Sequence, residues 1–264
     1  MKHLERINEP MLITADAWRA CFALAEESRH VSLPDGYKVE VQGMEVRGGV
    51  AVIPVHGRLM VKPDVFEVFL FGAVDIAQIA DEVRQADADP DVSAIVLDIE
   101  SPGGTVNGTP ELAAAVASCS KPTFAYTSMV ACSGGYWVAC AADNLLCAPS
   151  ATVGHVGAMS IHKEYSRALE AEGVTVNVLQ SDPIKTAGNP WAAMTDEQRD
   201  TLQARVDFAA HEFKEFVREH RPMITADDMQ AQTYWGKEAV ANGYADALAG
   251  SLAEVVSLAG GSAA

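Results

Sequence analysis

Ser133 lies in the stretch MVACSGGYWVAC, residues 129 to 140, between a cysteine and two glycines where an apolar segment begins. A helix start favours a capping serine. It also favours a nucleophile, because free N–H groups and the helix dipole stabilise negative charge there. The stretch alone leaves both readings open. Gly134 and Gly135 leave room for a substrate backbone. Upstream, SAIVLDI (residues 93 to 99) runs into ESPGGTVNG, where Gly103 and Gly104 allow a sharp turn with exposed N–H groups. Such groups can hold a developing oxyanion, and an ordinary strand-to-helix turn is the plainer alternative.

A serine hydroxyl needs a base. Two candidates follow: His155 in ATVGHVGAMS and Lys185 in SDPIKTAGNPW. Lys185 sits among Pro183, Ile184, Ala187 and Pro190, with Asp182 the nearest acid. A lysine in an apolar loop can lose its proton through desolvation, whereas spacing alone reads it as an exposed surface lysine. Other constellations carry less. HEFKEFVREH has His211, Glu212 and Glu215 but not H-E-x-x-H, and reads as the solvated face of a helix. DADPD (87 to 91) lacks the glycine and closing glutamate of a calcium loop and reads as a helix-to-strand connection. With neither a P-loop nor a G-x-G-x-x-G element, no nucleotide, metal or other cofactor is expected.

The elements that must position these residues follow from periodicity. Helices are expected over residues 14–28, 73–86, 109–118, 133–142 and 163–172. Strands are expected within 38–55 and at 93–99, 123–127, NLLCA and VTVNVL (174 to 179). MVAC reads as a short turn, and VFEVFLFGA (65 to 73) as an aromatic loop that lines a substrate groove or a subunit contact. Strands alternating with helices imply an α/β fold with a largely parallel sheet. Thr195 and Gln198 form a capping box ahead of a stripe of Leu202, Val206, Ala209, Phe213 and Phe216. The tail fades into small residues and is expected to be flexible over 251–264.

The chain has 264 residues, of which 49% are hydrophobic, so a sizeable core is expected. Its net charge of −17, from 36 acidic and 19 basic side chains, argues against a nucleic-acid binder and against docking on anionic membrane. The odd set Cys21, Cys119, Cys132, Cys140 and Cys147 contains no C-x-x-C pair and reads as buried thiols in a reducing compartment. MKHLERINEP has no apolar h-region, and no window of about 18 apolar residues occurs, so a cytoplasmic location without membrane insertion is expected.

Five stretches together resemble the signal-peptide-peptidase-type (SppA-like) serine peptidases: GVAVIPVHGRL, AIVLDIESPGGTVNGTPELA, ACSGGYWVACAADNLLCAPSATVGHVGAMS, IKTAGNPW and YWGKEAVANGYADAL. They occur in family order over residues 49 to 248. The resemblance runs to the short soluble branch that includes tailed-phage head-maturation (prohead) proteases. It implies the Clp protease/crotonase fold of repeated ββα units with a helical C-terminal part. The corresponding division is an N-terminal helical extension (1–35), a single peptidase domain (36–250) and the tail.

By that resemblance Ser133 is the nucleophile, Lys185 the general base, and Gly104 and Gly134 supply the oxyanion-hole amides. Two positions depart from the family. Cys132 stands where alanine is common, and His155 stands in a GHVG turn where a serine is frequent. His155 is therefore a possible auxiliary, holding Lys185, relaying protons or replacing it as base. The resemblance further implies protein or peptide substrates, and a homo-oligomer whose active site is shared between subunits. The location would be host cytoplasm or an immature phage head. Alternatives are a cellular cytosolic protease, a crotonase-type acyl-CoA enzyme and an inactive assembly protein.

Overall fold

The computed structural model describes residues 10–27, 33–34, 37–39 and 42–262. The chain begins with β1 (Met11–Ile13), α1 (Ala15–Glu27), β2 (Glu45–Arg47), β3 (Val50–His56), β4 (Arg58–Met60), α2 (Val65–Phe71) and β5 (Ala73–Asp75). It continues through α3 (Ile76–Ala88), β6 (Ala94–Glu100), β7 (Gly103–Thr105), α4 (Thr109–Ala117), β8 (Thr123–Thr127), β9 (Val130–Cys132) and α5 (Gly134–Cys140). The last part holds β10 (Asn144–Cys147), β11 (Thr152–Gly154), α6 (Ser166–Ala171), α7 (Asp196–His220), β12 (Thr233–Trp235), α8 (Gly236–Ala241), β13 (Ala247–Leu248) and α9 (Leu252–Ser262). Pro183–Thr186 and Ala226–Asp228 are 3-10 turns.

The central sheet has six strands in the order β13-β10-β8-β6-β3-β2, and only the edge pair β2–β3 is antiparallel. Both faces are covered, which is why its strands read as continuous apolar runs. On one face Ala51, Ile53, Val55, Ile95, Leu97 and Leu145 join the main core with side chains of α3, α4 and α5. On the other, Val50, Val52, Val96, Phe124 and Tyr126 pack beneath Val255 and Ala259 of α9. Two smaller sheets, β1-β7-β4-β5 and β12-β11-β9, carry the segments where Ser133, Gly104, Gly134 and His155 lie.

Several expectations change. The VTVNVL stretch is not a strand: Val174, Val176 and Leu179 are exposed, because no strand among the described residues pairs with it. The supposed aromatic loop is helix α2, started by a capping box between Asp64 and Glu67 and stopped by Gly72 in the left-handed region. MVAC contributes a short strand, β9, not a turn. Of the expected flexible tail, residues 252 to 262 form α9, whose Val255 and Ala259 are buried. Residues 37–39 form no strand, and Glu40 and Val41 lie outside the described residues. Much of the expected N-terminal extension is also outside them, apart from β1 and α1.

Candidate active site

The chain reaches Ser133 through a strand held on both sides. β9 pairs in parallel with β11, Cys132 opposite Gly154, while Ser101 N donates to Val130 O at 2.8 Å and Cys132 N to Ser101 O at 3.0 Å. Ser133 then takes φ 54° and ψ −124°, an uncommon conformation for a residue with a side chain. Its N–H donates to Gly154 O at 2.8 Å, and its carbonyl accepts from Trp137 N at 2.9 Å as α5 begins. Such backbone strain costs about 1–3 kcal/mol and persists only where the surroundings enforce it. Ser133 is buried, and its Oγ has no hydrogen-bond partner among the described residues.

The enforcing contacts are specific. The Glu100 carboxylate accepts from Ser128 N (2.8 Å), Ser128 Oγ (2.6 Å), Met129 N (3.0 Å) and Val130 N (3.0 Å), fixing the approach to β9. Ser101 Oγ donates to Gly57 O at 2.7 Å and accepts from Gly103 N at 3.2 Å, fixing the double-glycine turn. Behind Ser133, Trp137 of α5 stacks on Phe213 of α7, with ring centroids 4.5 Å apart.

The two glycine turns meet. A Cβ placed on Gly134 would lie 3.4 Å from Gly104 N. At Gly104 a Cβ would lie 1.9 Å from Leu59 O, so no other residue fits without moving β4. The structure thus brings Ser133, Gly134 and Gly104 into one locus.

The two candidate bases are held differently. Lys185 is exposed in the turn Pro183–Thr186, where its N–H donates to Asp182 O at 3.0 Å. The turn is tethered to α7 by Gln198 Nε2 donating to Pro183 O. His155 follows Gly154 with φ 60°, its N–H donating to Gln232 O at 2.7 Å. Its ring is half-buried, Nδ1 has no partner among the described residues, and burial pushes its pKa down. Neither base bonds Ser133 Oγ, which has no partner among the described residues. Cys132 is buried as a small apolar residue would be, its thiol pushed up to about 12 by burial.

The profile of peptidase family S49 matches residues 115–262, which includes the whole Ser133 elbow. The chain belongs to peptidase family S49. It is 33% identical over 216 residues to the capsid assembly protease C of Escherichia phage lambda, covering 80% of this chain and 49% of that protein. Identity to the head-tail preconnector protein GP5 of Enterobacteria phage P21 is 29%, over 85% of this chain and 45% of the relative. Protease 4 of Salmonella typhi is 30% identical, over 76% of this chain and 32% of its own length. The chain thus spans about half, or less, of these relatives. The solved structure of a ClpP1 point mutant from Listeria monocytogenes superposes with a TM-score of 0.51 at 10% identity, over 77% of this chain and 94% of that one. The Clp protease/crotonase fold expected from the sequence is therefore the fold of this S49 chain.

Among the described residues no helix is long and apolar enough to cross a membrane, and no group of His, Cys, Asp or Glu side chains could hold a metal. Sequence reasoning missed Glu100 and Ser101, whose side chains hold the turns in place. The only signal was their position at the end of the apolar strand β6, where a polar residue must find work for its hydrogen-bonding groups.

Proposed function

We propose that this S49 chain is a serine endopeptidase that cuts extended protein segments through an acyl-enzyme on Ser133. One observation supports this above the others. A strained, buried serine presents a hydroxyl without a hydrogen-bond partner among the described residues, beside the backbone of Gly104 and Gly134. A purely structural serine at a helix start would use its Oγ as a cap, and this one does not.

In the reaction, Ser133 Oγ attacks the scissile carbonyl while Lys185 Nζ, uncharged, takes the hydroxyl proton. The Gly104 and Gly134 amides hold the tetrahedral oxyanion. Lys185 returns the proton to the leaving amine, and water then hydrolyses the ester with the roles reversed. Lys185 is exposed and makes no hydrogen bond to Ser133 Oγ among the described residues; in this reading a neighbouring copy supplies it. The protein acts as a homo-oligomer without nucleic acid, cofactor or membrane insertion. The likeness to a phage capsid assembly protease supports a role in phage head maturation; in this reading the substrates are capsid or scaffold proteins, in host cytoplasm or an immature head.

A fluorophosphonate probe tests the reading. Labelling is expected in the parent protein and in Ser128→Ala, and not in Ser133→Ala. Loss of peptide turnover in Lys185→Ala with retention in His155→Ala assigns the base. The reverse pattern assigns it to His155, whose buried Nδ1 lacks a partner.

A further inference from the structure

The groove in front of Ser133 is already filled. β1 pairs antiparallel with β7, placing Leu12 opposite Gly104 and Ile13 opposite Gly103. Thr14 N donates to Pro102 O at 3.0 Å. By the alternation of an antiparallel ladder, the Leu12–Gly104 pair two residues along is therefore hydrogen-bonded, so the Gly104 amide donates to Leu12 O. On its other edge β1 is paired again: Met11 N donates to Met159 O at 2.8 Å and Met159 N to Met11 O at 3.0 Å.

The Leu12 carbonyl oxygen lies against both glycine turns. A Cβ on Gly103 would fall 1.8 Å from Leu12 O, and one on Gly134 3.2 Å from it. The oxygen is thus lodged between the two glycine turns, accepting from the Gly104 amide. Leu12 is fully buried in the main core, and Ile13 packs with Trp18, Cys21 and Phe71. Ser133 beneath is 0% exposed. A nucleophile that must meet another polypeptide cannot act from such a position unless what covers it leaves.

We infer that the groove between β7 and Met159 accepts the substrate as an added antiparallel strand, and that residues 11–13 occupy it as an intramolecular stand-in that substrate must displace. This rests on Ser133 being the nucleophile. β-strand addition supplies main-chain hydrogen bonds on both edges, so an extended segment of unfolded protein can form the same bonds that β1 forms. Because β1 is tethered, its effective concentration reaches the millimolar range for short flexible linkers, and only substrates presented at high local concentration gain entry.

Two variants of the full chain, assayed with a fluorophosphonate and with fluorescein-labelled casein, test the inference. Met11→Pro removes the N–H that bonds Met159 O. It is expected to speed hydrogen exchange at Leu12 and Ile13 at least tenfold, and to raise Ser133 labelling and casein cleavage by a similar factor. The pair Met11→Cys/Met159→Cys replaces a hydrogen-bonded pair whose Cα atoms lie about 5.5 Å apart, within disulfide reach. Oxidised, it is expected to be labelled and to cut casein at least tenfold more slowly, with recovery on reduction. A locked enzyme as active as its reduced form overturns the inference and leaves Ser133 standing. Failure of the two cysteines to cross-link overturns it as well. Absence of labelling in every form, locked or released, defeats Ser133 as nucleophile, and the inference falls with it.

Discussion

The cradle of Ser133 and the turn of Lys185 are built to opposite standards. Around the serine, β9, β11, the Ser101 backbone and the start of α5 hold one another through backbone bonds of 2.8–3.0 Å, and the side chains of Glu100 and Ser101 bind the turns between them. The lysine stands exposed on a short 3-10 turn, after a stretch in which Val174, Val176 and Leu179 face outward. On the proposed mechanism, the difference separates two tasks. Positioning an oxyanion hole demands rigidity that one chain can supply from its core. Supplying an uncharged amine demands desolvation, which an exposed turn lacks until another surface covers it.

Two substitutions with the same effect on activity should therefore differ most in stability. Lys185→Ala should lower peptide turnover by about 10³-fold or more, the scale of a lost general base, while unfolding free energy stays within about 0.5 kcal/mol. Gly104→Ala should also abolish turnover, but a Cβ 1.9 Å from Leu59 O must push β4 aside, at a cost of about 3 kcal/mol. Urea unfolding beside the kinetics makes the comparison. Equal destabilisation by both variants would mean that the lysine turn is part of the fold after all.

The same contrast governs what could be read from the chain. β3, β6 and β8 were legible because a sheet buried on both faces leaves continuous apolar runs. The stripe Ile76, Ile79, Ala80 and Val83 was legible because α3 buries that one face. Ser133, Gly104 and Gly134 could be suspected because strand ends followed by glycines have few other uses. VTVNVL misled because alternation reports a strand's faces and not its partner, and no described strand lies beside it. In α2 the cap signals, Asp64 with Glu67 and then Gly72, were present but outweighed by β-branched and aromatic residues. β1 and β9 span only three residues each, too few for any period, and their existence depends on tertiary neighbours. No local pattern could have shown that Met11–Ile13 would lie across the serine.

A sharper form of the comparison mixes the two halves. If serine and lysine come from different copies, an equimolar co-assembly of Ser133→Ala with Lys185→Ala should recover about a quarter of parental turnover from two inactive proteins, since half the copies keep each group. Absence of recovery, with mixed oligomers verified by native mass spectrometry, would require both groups from one chain. Smaller again is the effect of loosening the cradle alone. Glu100→Gln keeps the shape but loses the charge that its four donors share, and should cost about 1–2 kcal/mol in unfolding free energy. It should also slow fluorophosphonate labelling of Ser133, with casein cleavage falling in step. Unchanged labelling would show that β11 and Ser101 suffice to hold the elbow.

The smallest effects distinguish two histidines of opposite sign, one in the cradle and one outside it. His56 Nε2 lies 2.8 Å from Asp98 Oδ2, and that hydrogen bond raises its pKa from the usual 6.5. A raised folded pKa gives stability that is complete below about pH 6.5 and fades as pH rises through the raised value. His155, beside Ser133, has its pKa lowered by burial. Below pH 6.5 the unfolded chain takes up that proton before the folded one does, so this group subtracts stability as pH falls toward the lowered value. Both sites are partly open to solvent, and screening should hold each contribution to a few tenths of a kcal/mol. Urea unfolding between pH 5 and 8 should therefore show the stability of His56→Gln gaining on the parent with rising pH. His155→Gln should gain on the parent as pH falls. Matching slopes in the two variants would remove the distinction between a histidine paired with a carboxylate and one buried without a partner at Nδ1.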